Sequence, residues 1–315
     1  MSKHVVVGAG AIGSATARLL ADRGEHVVVA TRSGAGPQLL GVELVRCDAA
    51  DASALTELTK GAAALYNCAA PAYHRWATDW PALAAAFLIA AERTGAVLAT
   101  AGNLYGYGHV DAPMTEQTPL CPVGPKGEVR AQMWRDAEAL HRAGRIRATE
   151  VRASDYIGPN AQSHLGDRVV PRLLAGKRTV QVLGNADAPH SWTFTQDVAE
   201  LLIAVASQER AWGRPWHVPT NAPQTPREAV QGLALVAGVD QVQVNEVPAA
   251  LLKLMAPFSR QVRQLPEVAY QLQRPFVLDS TAAQTVFGAT PTPWQQVLTA
   301  TVEHYRQQNQ ARMTA

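Results

Sequence analysis

Three valines, Val5-Val6-Val7, run directly into Gly8-Ala9-Gly10-Ala11-Ile12-Gly13, and a helical segment follows. Strand, glycine-rich turn and helix in that order mark the phosphate loop of a dinucleotide-binding βαβ unit. Each glycine answers a separate demand. Gly8 supplies a backbone tolerant of positive φ for the tight turn. Gly10 removes the Cβ that would stand between backbone and pyrophosphate, and Gly13 lets helix and strand pack closely. With Ala11 and Ile12, the helix N-terminus turns unpaired N–H groups and a positive partial charge toward the anion.

The first half continues the same rhythm. β-rich runs at 26–30, 42–46, 63–67, 96–100 and 148–151 alternate with helical segments at 14–23, 53–60, 82–94 and 128–142. Alternation of this kind predicts a parallel sheet covered by helices on both faces. Beyond residue 155 proline and glycine become frequent, with short helices predicted at 170–175, 196–207 and 225–237 and a last one at 293–307. The expected architecture is α/β: a Rossmann doubly wound parallel sheet over 1–155, then a smaller, less regular α+β region over 156–315 for substrate. Residues 190–210 or so are expected to return to the first unit.

The end of the second strand bears on the cofactor. An NAD-selective site places Asp or Glu there, against the ribose 2′-hydroxyl. This chain has Thr31-Arg32-Ser33. Arg32 is suited to fork onto a 2′-phosphate and the two hydroxyls to donate to it, so NADP(H) is expected over NAD(H).

Other partners find little support. The net charge is +2, without the basic excess of a nucleic-acid-binding surface. The longest apolar stretch, 81–91, is short of the roughly 20 residues that span a bilayer, and no secretory signal pattern opens the chain, so a cytoplasmic protein is expected. Cys47, Cys68 and Cys121 are widely spaced and read as reduced thiols; the nine histidines form no ligand pair, so no metal is expected.

Further segments then fall into one order: Cys47-Asp48-Ala49-Ala50-Asp51, Tyr66-Asn67-Cys68-Ala69-Ala70, Leu104-Tyr105-Gly106, the stretch Arg152 to Pro159, and Phe194-Thr195-Gln196-Asp197. With the loop, this set resembles the extended short-chain dehydrogenase/reductases, the NAD(P)-dependent epimerase/dehydratase group. The resemblance implies that Asp48 lies beside the adenine, although it is equally a turn carboxylate. It implies that Cys68, Ala69 and Ala70 line the cofactor groove, that Thr100, Ala101 and Ser154 approach the nicotinamide, and that Asp197 is structural. It also implies a possible homodimer through the helices at 82–94 and 128–142.

The catalytic motif departs from the family. Where Tyr-x-x-x-Lys is expected, Lys126 takes the tyrosine's place and Arg130 the lysine's, and Ala101 replaces the partner Ser or Thr. Arg130 cannot serve as a base, but it can bind ribose or polarise a substrate oxygen. Lys126, beside the cofactor, is a proton donor if burial lowers its pKa, and otherwise a solvated lysine. Tyr107 is a phenol on the loop facing substrate. Tyr73, Asn103, Tyr105, Asp155, Tyr156, His190 and Trp192 are expected to wall the substrate site, with packing the alternative for each aromatic. Three functions remain open. The first is an NADP(H)-dependent oxidoreductase acting on a small carbonyl, imine or activated alkene. The others are a sugar-nucleotide epimerase/dehydratase and a non-catalytic NADP(H)-binding sensor or scaffold.

Overall fold

The computed structural model describes residues 1–255, 257–259 and 262–314. The chain opens with β1 (Lys3–Val7), α1 (Ala11–Asp22), β2 (His26–Thr31), β3 (Val42–Arg46), α2 (Ala52–Thr59) and β4 (Ala62–Asn67). Next come α3 (Trp76–Thr94), β5 (Val97–Asn103), α4 (Gly124–Arg142) and β6 (Ala148–Ala153). After β7 (Asp155–Ile157), α5 (Val170–Leu174), β8 (Thr179–Val182) and β9 (Trp192–Phe194), the chain forms α6 (Thr195–Ala206) and β10 (Pro215–His217). It closes with α7 (Pro226–Ala237), β11 (Gln243–Glu246), α8 (Ala249–Met255), α9 (Leu265–Val268), α10 (Tyr270–Gln273), α11 (Thr281–Phe287) and α12 (Trp294–Thr314).

Seven strands form one parallel sheet in the order β10-β6-β5-β4-β1-β2-β3. The order reverses between β1 and β4, and a crevice opens there at the carboxyl ends of the strands. Apolar alternation fills both faces. Val6, Val27, Val29 and Tyr66 meet Ala17 and Leu20 of α1 and Val198, Leu202 and Val205 of α6. Val5, Val7, Val28 and Leu65 face the other way, onto Leu55, Phe87, Ala90 and Trp134 of α2, α3 and α4. Strands buried on two faces need apolar residues at consecutive positions, which Val5–Val7 of β1 and Val27–Ala30 of β2 supply.

The remaining elements build a second core, with Leu165, Val170 and Leu173 packed on Val180, Trp192, Val230, Leu233 and Val302. Two small parallel sheets, β8–β11 and β7–β9, belong to this region. Thr225 and Glu228 form a reciprocal capping box on α7, Pro226 sits in its first turn, and Gly238 ends it at φ +84°. Asp197 ties this region to the sheet: Thr292 donates its backbone N–H (3.0 Å) and hydroxyl (2.6 Å) to the Asp197 carboxylate.

Some element boundaries differ from the sequence expectation. Helix α3 begins at Trp76 rather than 82 and carries Pro81 inside it. Helix α4 begins at Gly124 rather than 128, which puts Lys126 in its first turn. The sequence analysis did not foresee β7 to β11. They are three or four residues long and pair with segments distant in sequence, so no local periodicity marks them. The return to the main sheet also runs past 210, because β10 pairs with β6 at its edge.

Burial makes stability depend on pH. His164 accepts a hydrogen bond from the Leu183 N–H at 3.2 Å, and desolvation holds its pKa down to about 4 from an ordinary 6.5. An unfolded chain takes up that proton from about pH 6.5 downward while the folded chain does not, so stability falls between those two values. Asp197 opposes this, since burial pushes its carboxyl up to about 6. The difference between wild type and His164→Gln isolates the histidine. Urea unfolding at pH 7 and pH 4 is expected to show the wild type losing about 2–3 kcal/mol more than the variant. Equal losses would contradict this assignment.

Candidate active site

The phosphate loop has the geometry its residues require. Gly8 sits at φ +102°, and a Cβ there would run into the Cys68 carbonyl oxygen. A Cβ on Gly13 would strike the Gly8 carbonyl oxygen, whereas one on Gly10 would meet nothing within 4 Å. Gly10 therefore opens onto free space at the N-terminus of α1, a 12-residue helix with no side-chain cap. That space, walled by Cys68, suits a pyrophosphate held on backbone N–H groups.

The rim of the groove follows. Arg32 is exposed, and no described residue pairs with it. Thr31 donates its hydroxyl to the Ala35 carbonyl and Ser33 accepts from the Ala35 N–H, so both shape the turn that carries Arg32. Asp48, also exposed, accepts from the Ala50 N–H as a turn carboxylate does. Cys68 is buried and its thiol is pushed up to about 12 by desolvation, which suits a groove wall rather than a nucleophile. Ala69 and Ala70 continue from it, and Asn67 turns the chain there by accepting from the Ala69 N–H.

At the other end of the crevice the residues of α4 come into place. Arg130 is 9% exposed and its guanidinium lies between two indoles, 4.8 Å from the Trp76 ring and 4.5 Å from Trp80. One guanidinium N–H reaches the Ala101 carbonyl at 3.4 Å. Its Nε and the Ser154 hydroxyl are buried without a hydrogen-bond partner among the described residues. Unpaired buried polar groups are costly. Arg130 reaches β5 at Ala101, and Ser154 directly follows β6, where Ala153 pairs with Asn103; a ribose-nicotinamide group placed there would take their hydrogen bonds.

Lys126 is buried and neutralised. Its ammonium meets Glu267 Oε2 and Gln264 Oε1, each at 2.5 Å, and its backbone N–H donates to Glu267 Oε1 at 2.6 Å. A segment 141 residues further along the chain thus closes over the start of α4. The third face of the ammonium looks at the Tyr73 ring, 4.8 Å from its centroid. The Tyr73 hydroxyl lies 3.3 Å from that of Tyr105.

Other expected site residues lie elsewhere. Tyr107 is 1% exposed. Its hydroxyl accepts from Arg152 at 2.7 Å and bonds His217 Nε2 at 2.7 Å, so it belongs to a buried network. Arg152 in turn donates to Glu150 at 2.9 Å. The turn that carries Tyr107 thus commits its hydroxyl to the protein rather than leaving it free on the loop. His190, 2% exposed, is stacked between Trp192 and Phe276, and Trp192 donates its indole N–H to the Gln224 carbonyl. Both are packed among neighbours of the second region. Asp155 lies 3.1 Å from His190 Nε2. Tyr156 donates its hydroxyl to the Gly102 carbonyl at 3.1 Å, and Asn103 accepts from the Tyr105 N–H.

Glu267 and Gln264 could not be read from the sequence, because nothing local links 264–267 to α4, and Trp80 reads there only as one more apolar position of a helix. Glu150 was open to notice as a carboxylate two residues from Arg152 within a buried strand, a spacing that puts both side chains on one face. Among the described residues no group of His, Cys, Asp and Glu is placed to hold a metal, and no helix is long and apolar enough to cross a membrane.

A doubly wound sheet with this loop at its switch point defines a Rossmann dinucleotide-binding protein of the extended short-chain dehydrogenase/reductase type. The NAD dependent epimerase/dehydratase family model matches residues 4–218, and the chain belongs to that family. No curated protein matches the chain. Among solved structures it is similar to a UDP-glucose 4-epimerase from Thermotoga maritima with UDP-glucose, at 17% identity, covering 98% of this chain and 99% of that one, with TM-score 0.81. It is similar to the dTDP-glucose 4,6-dehydratase of Bacillus anthracis in complex with NAD, at 15% identity, 98% coverage of both chains and TM-score 0.78. It is also similar to the Bordetella bronchiseptica enzyme WbmH in complex with NAD+, at 19% identity, covering 97% and 99%, with TM-score 0.74. At such identities the likeness establishes the fold.

Proposed function

We propose that this chain is a nicotinamide-dinucleotide-dependent enzyme that transfers hydride at a carbon of a nucleotide-linked sugar, with NADP(H) as its preferred cofactor. Three observations carry this reading: the free space at Gly10 on the N-terminus of α1, the buried Arg130 Nε and Ser154 hydroxyl without partners among the described residues, and the Tyr73–Tyr105 phenol pair after β4 and β5. The substrate class comes from the structural relatives, which bind UDP-glucose or act on dTDP-glucose. They favour a nucleotide-linked sugar over the small carbonyl, imine or alkene that the sequence put first.

When bound, the dinucleotide supplies or accepts the hydride. The protein's own residues do the rest. Backbone N–H groups of α1 hold the pyrophosphate. Arg130, locked between Trp76 and Trp80, presents a fixed positive charge to the ribose or to a substrate oxygen. The unpaired Arg32 and the missing carboxylate at the end of β2 support the 2′-phosphate.

Two measurements test the reading. NADPH is expected to bind more tightly than NADH in a fluorescence titration. Arg32→Ala is expected to lower NADPH affinity roughly 10- to 100-fold, the worth of a charge-assisted hydrogen bond, while NADH changes little. Equal loss for both cofactors would remove the assignment to Arg32, and tighter NADH binding would remove the preference. Incubation with UDP-glucose or a UDP-4-ketohexose and each cofactor is expected to give turnover. Tight cofactor binding with neither sugar converted would point instead to a sensor or scaffold.

A further inference from the structure

The family's proton-transfer tyrosine is missing from α4, yet hydride transfer to a carbonyl still needs a proton. We infer that the proton is handled by the phenols of Tyr73 and Tyr105, with Tyr73 meeting the substrate oxygen and Lys126 standing beside it. This rests on the reading that the mouth binds a nucleotide-linked sugar next to a nicotinamide.

Elimination narrows the choice. Lys126 has committed protons to Glu267 and Gln264, and its remaining side faces the Tyr73 ring. Arg130 stays protonated and is fixed by two indoles. The chain has seven tyrosines. Tyr107 is bonded to Arg152 and His217, Tyr156 to the Gly102 carbonyl, and Tyr305 to Asp167. Tyr66 lies buried in the sheet against His4; Tyr270 keeps its proton, since it only accepts from Gln271, but its ring packs on His109 and Phe276 and it follows no strand of the main sheet. Tyr73 and Tyr105 remain, and their hydroxyls bond one another.

Their positions are those a proton donor needs. Tyr73 follows β4 and Tyr105 follows β5, and these strands are adjacent and parallel, with Asn67 opposite Thr100. Both phenols therefore stand at the carboxyl edge of the sheet, beside the switch point. Tyr73 begins the short turn that leads into α3, and its ring meets Trp76 edge-on at 5.1 Å, which fixes its direction. If Tyr105 donates to Tyr73, the Tyr73 proton is free to point outward. The family's pairing of phenol and ammonium is thus kept with the positions exchanged: the ammonium stands on α4 and the phenol arrives from the loop after β4.

The step balances as follows. With a reduced dinucleotide bound to supply hydride, a C–H bond would form at the carbonyl carbon. The carbonyl π pair moves onto oxygen, which takes the Tyr73 proton as the phenolic O–H breaks. The Tyr73 phenolate regains a proton through Tyr105, and solvent restores the pair. Lys126 stands over the Tyr73 ring with its charge paired to Glu267, so its part is to hold the ring in place, while Asp155 and Glu267 help keep the phenol protonated until the alkoxide forms. Burial pushes the Tyr73 phenol up to about 12, with the Tyr105 hydrogen bond pulling it back. A neutral phenol of that kind is suited to giving a proton to an alkoxide.

Tyr73→Phe is expected to lower kcat for NADPH oxidation by a UDP-4-ketohexose about 10²- to 10⁴-fold while KM stays within about threefold, since a general acid acts on the chemical step. Tyr105→Phe, a positioning change, is expected to cost about tenfold. A second readout needs no turnover. In fluorotyrosine-labelled protein without ligand, the fluorine resonance that Tyr73→Phe removes is expected to shift in Lys126→Met and in Tyr105→Phe. A kcat in Tyr73→Phe within threefold of wild type overturns the inference, as does a Tyr73 resonance indifferent to Lys126→Met. If the wild type converts neither UDP-glucose nor the ketohexose, the functional reading falls, and the fluorine resonance still decides the phenol–ammonium pairing by itself.

Discussion

Replacing Gly10 by alanine is expected to leave the fold intact and to weaken dinucleotide binding roughly 30- to 100-fold. The added Cβ meets no protein atom within 4 Å, and Gly10 has φ −73° and ψ −168°, a conformation open to any residue. Stability should therefore change by less than about 1 kcal/mol, the scale of a helix N-cap substitution. The same methyl group points into the space where the pyrophosphate has to approach the backbone. Gly13→Ala reverses the pattern. Its Cβ would strike the Gly8 carbonyl oxygen and press on the Cys68 side chain. Overpacking against backbone costs about 1–3 kcal/mol or more. Urea unfolding beside a fluorescence titration separates the two variants. Unchanged NADPH and NADH affinity in Gly10→Ala would dismiss this loop as the cofactor cradle.

The second large effect is expected at Glu150. Glu150 and Arg152 are 4% and 3% exposed and form an ion pair at 2.9 Å under the sheet edge. Burial works against the Arg152 charge, but Glu150 and Tyr107 outweigh it and hold the guanidinium above its ordinary range. Removing one member of a buried pair leaves the other uncompensated, so Glu150→Ala is expected to cost about 3–5 kcal/mol in urea unfolding at pH 7. Replacing both partners, as in Glu150→Leu with Arg152→Met, is expected to cost less than either single change, because no unpaired charge remains. A double-variant loss equal to the sum of the two single losses would show that the pair is not coupled.

The sequence made the binding half of the molecule readable because its signals are local. Gly8, Gly10 and Gly13 lie within six residues, and the strand and helix on either side belong to the same turn of chain. Valines at consecutive positions of β1 and β2 mark a sheet buried on both faces. The mouth was harder to read. Lys126 and Arg130 were found as departures from a familiar spacing, but their surroundings were not. Glu267 and Gln264 reach α4 from a part of the chain with no periodic pattern. Tyr107 looked like a loop phenol in sequence, and only the three-dimensional path of its turn delivers it to Arg152 and His217. His190 and Trp192 fell to packing for the same reason: each sits in a three-residue strand or bridge whose partners are remote.

The clasp of Glu267 on Lys126 also has a meaning in time. All seven strands of the main sheet are complete by His217, and the phosphate cradle needs nothing later. A chain still emerging from the ribosome at that stage already holds every residue of the proposed dinucleotide cradle. It lacks the carboxylate that neutralises the ammonium beside Tyr73, and it lacks the segment that covers α4. If the cradle binds as proposed, the cradle is complete early in synthesis and the far end of the site is finished late, so a C-terminally clipped chain that keeps its sheet is expected to hold cofactor with an incomplete site.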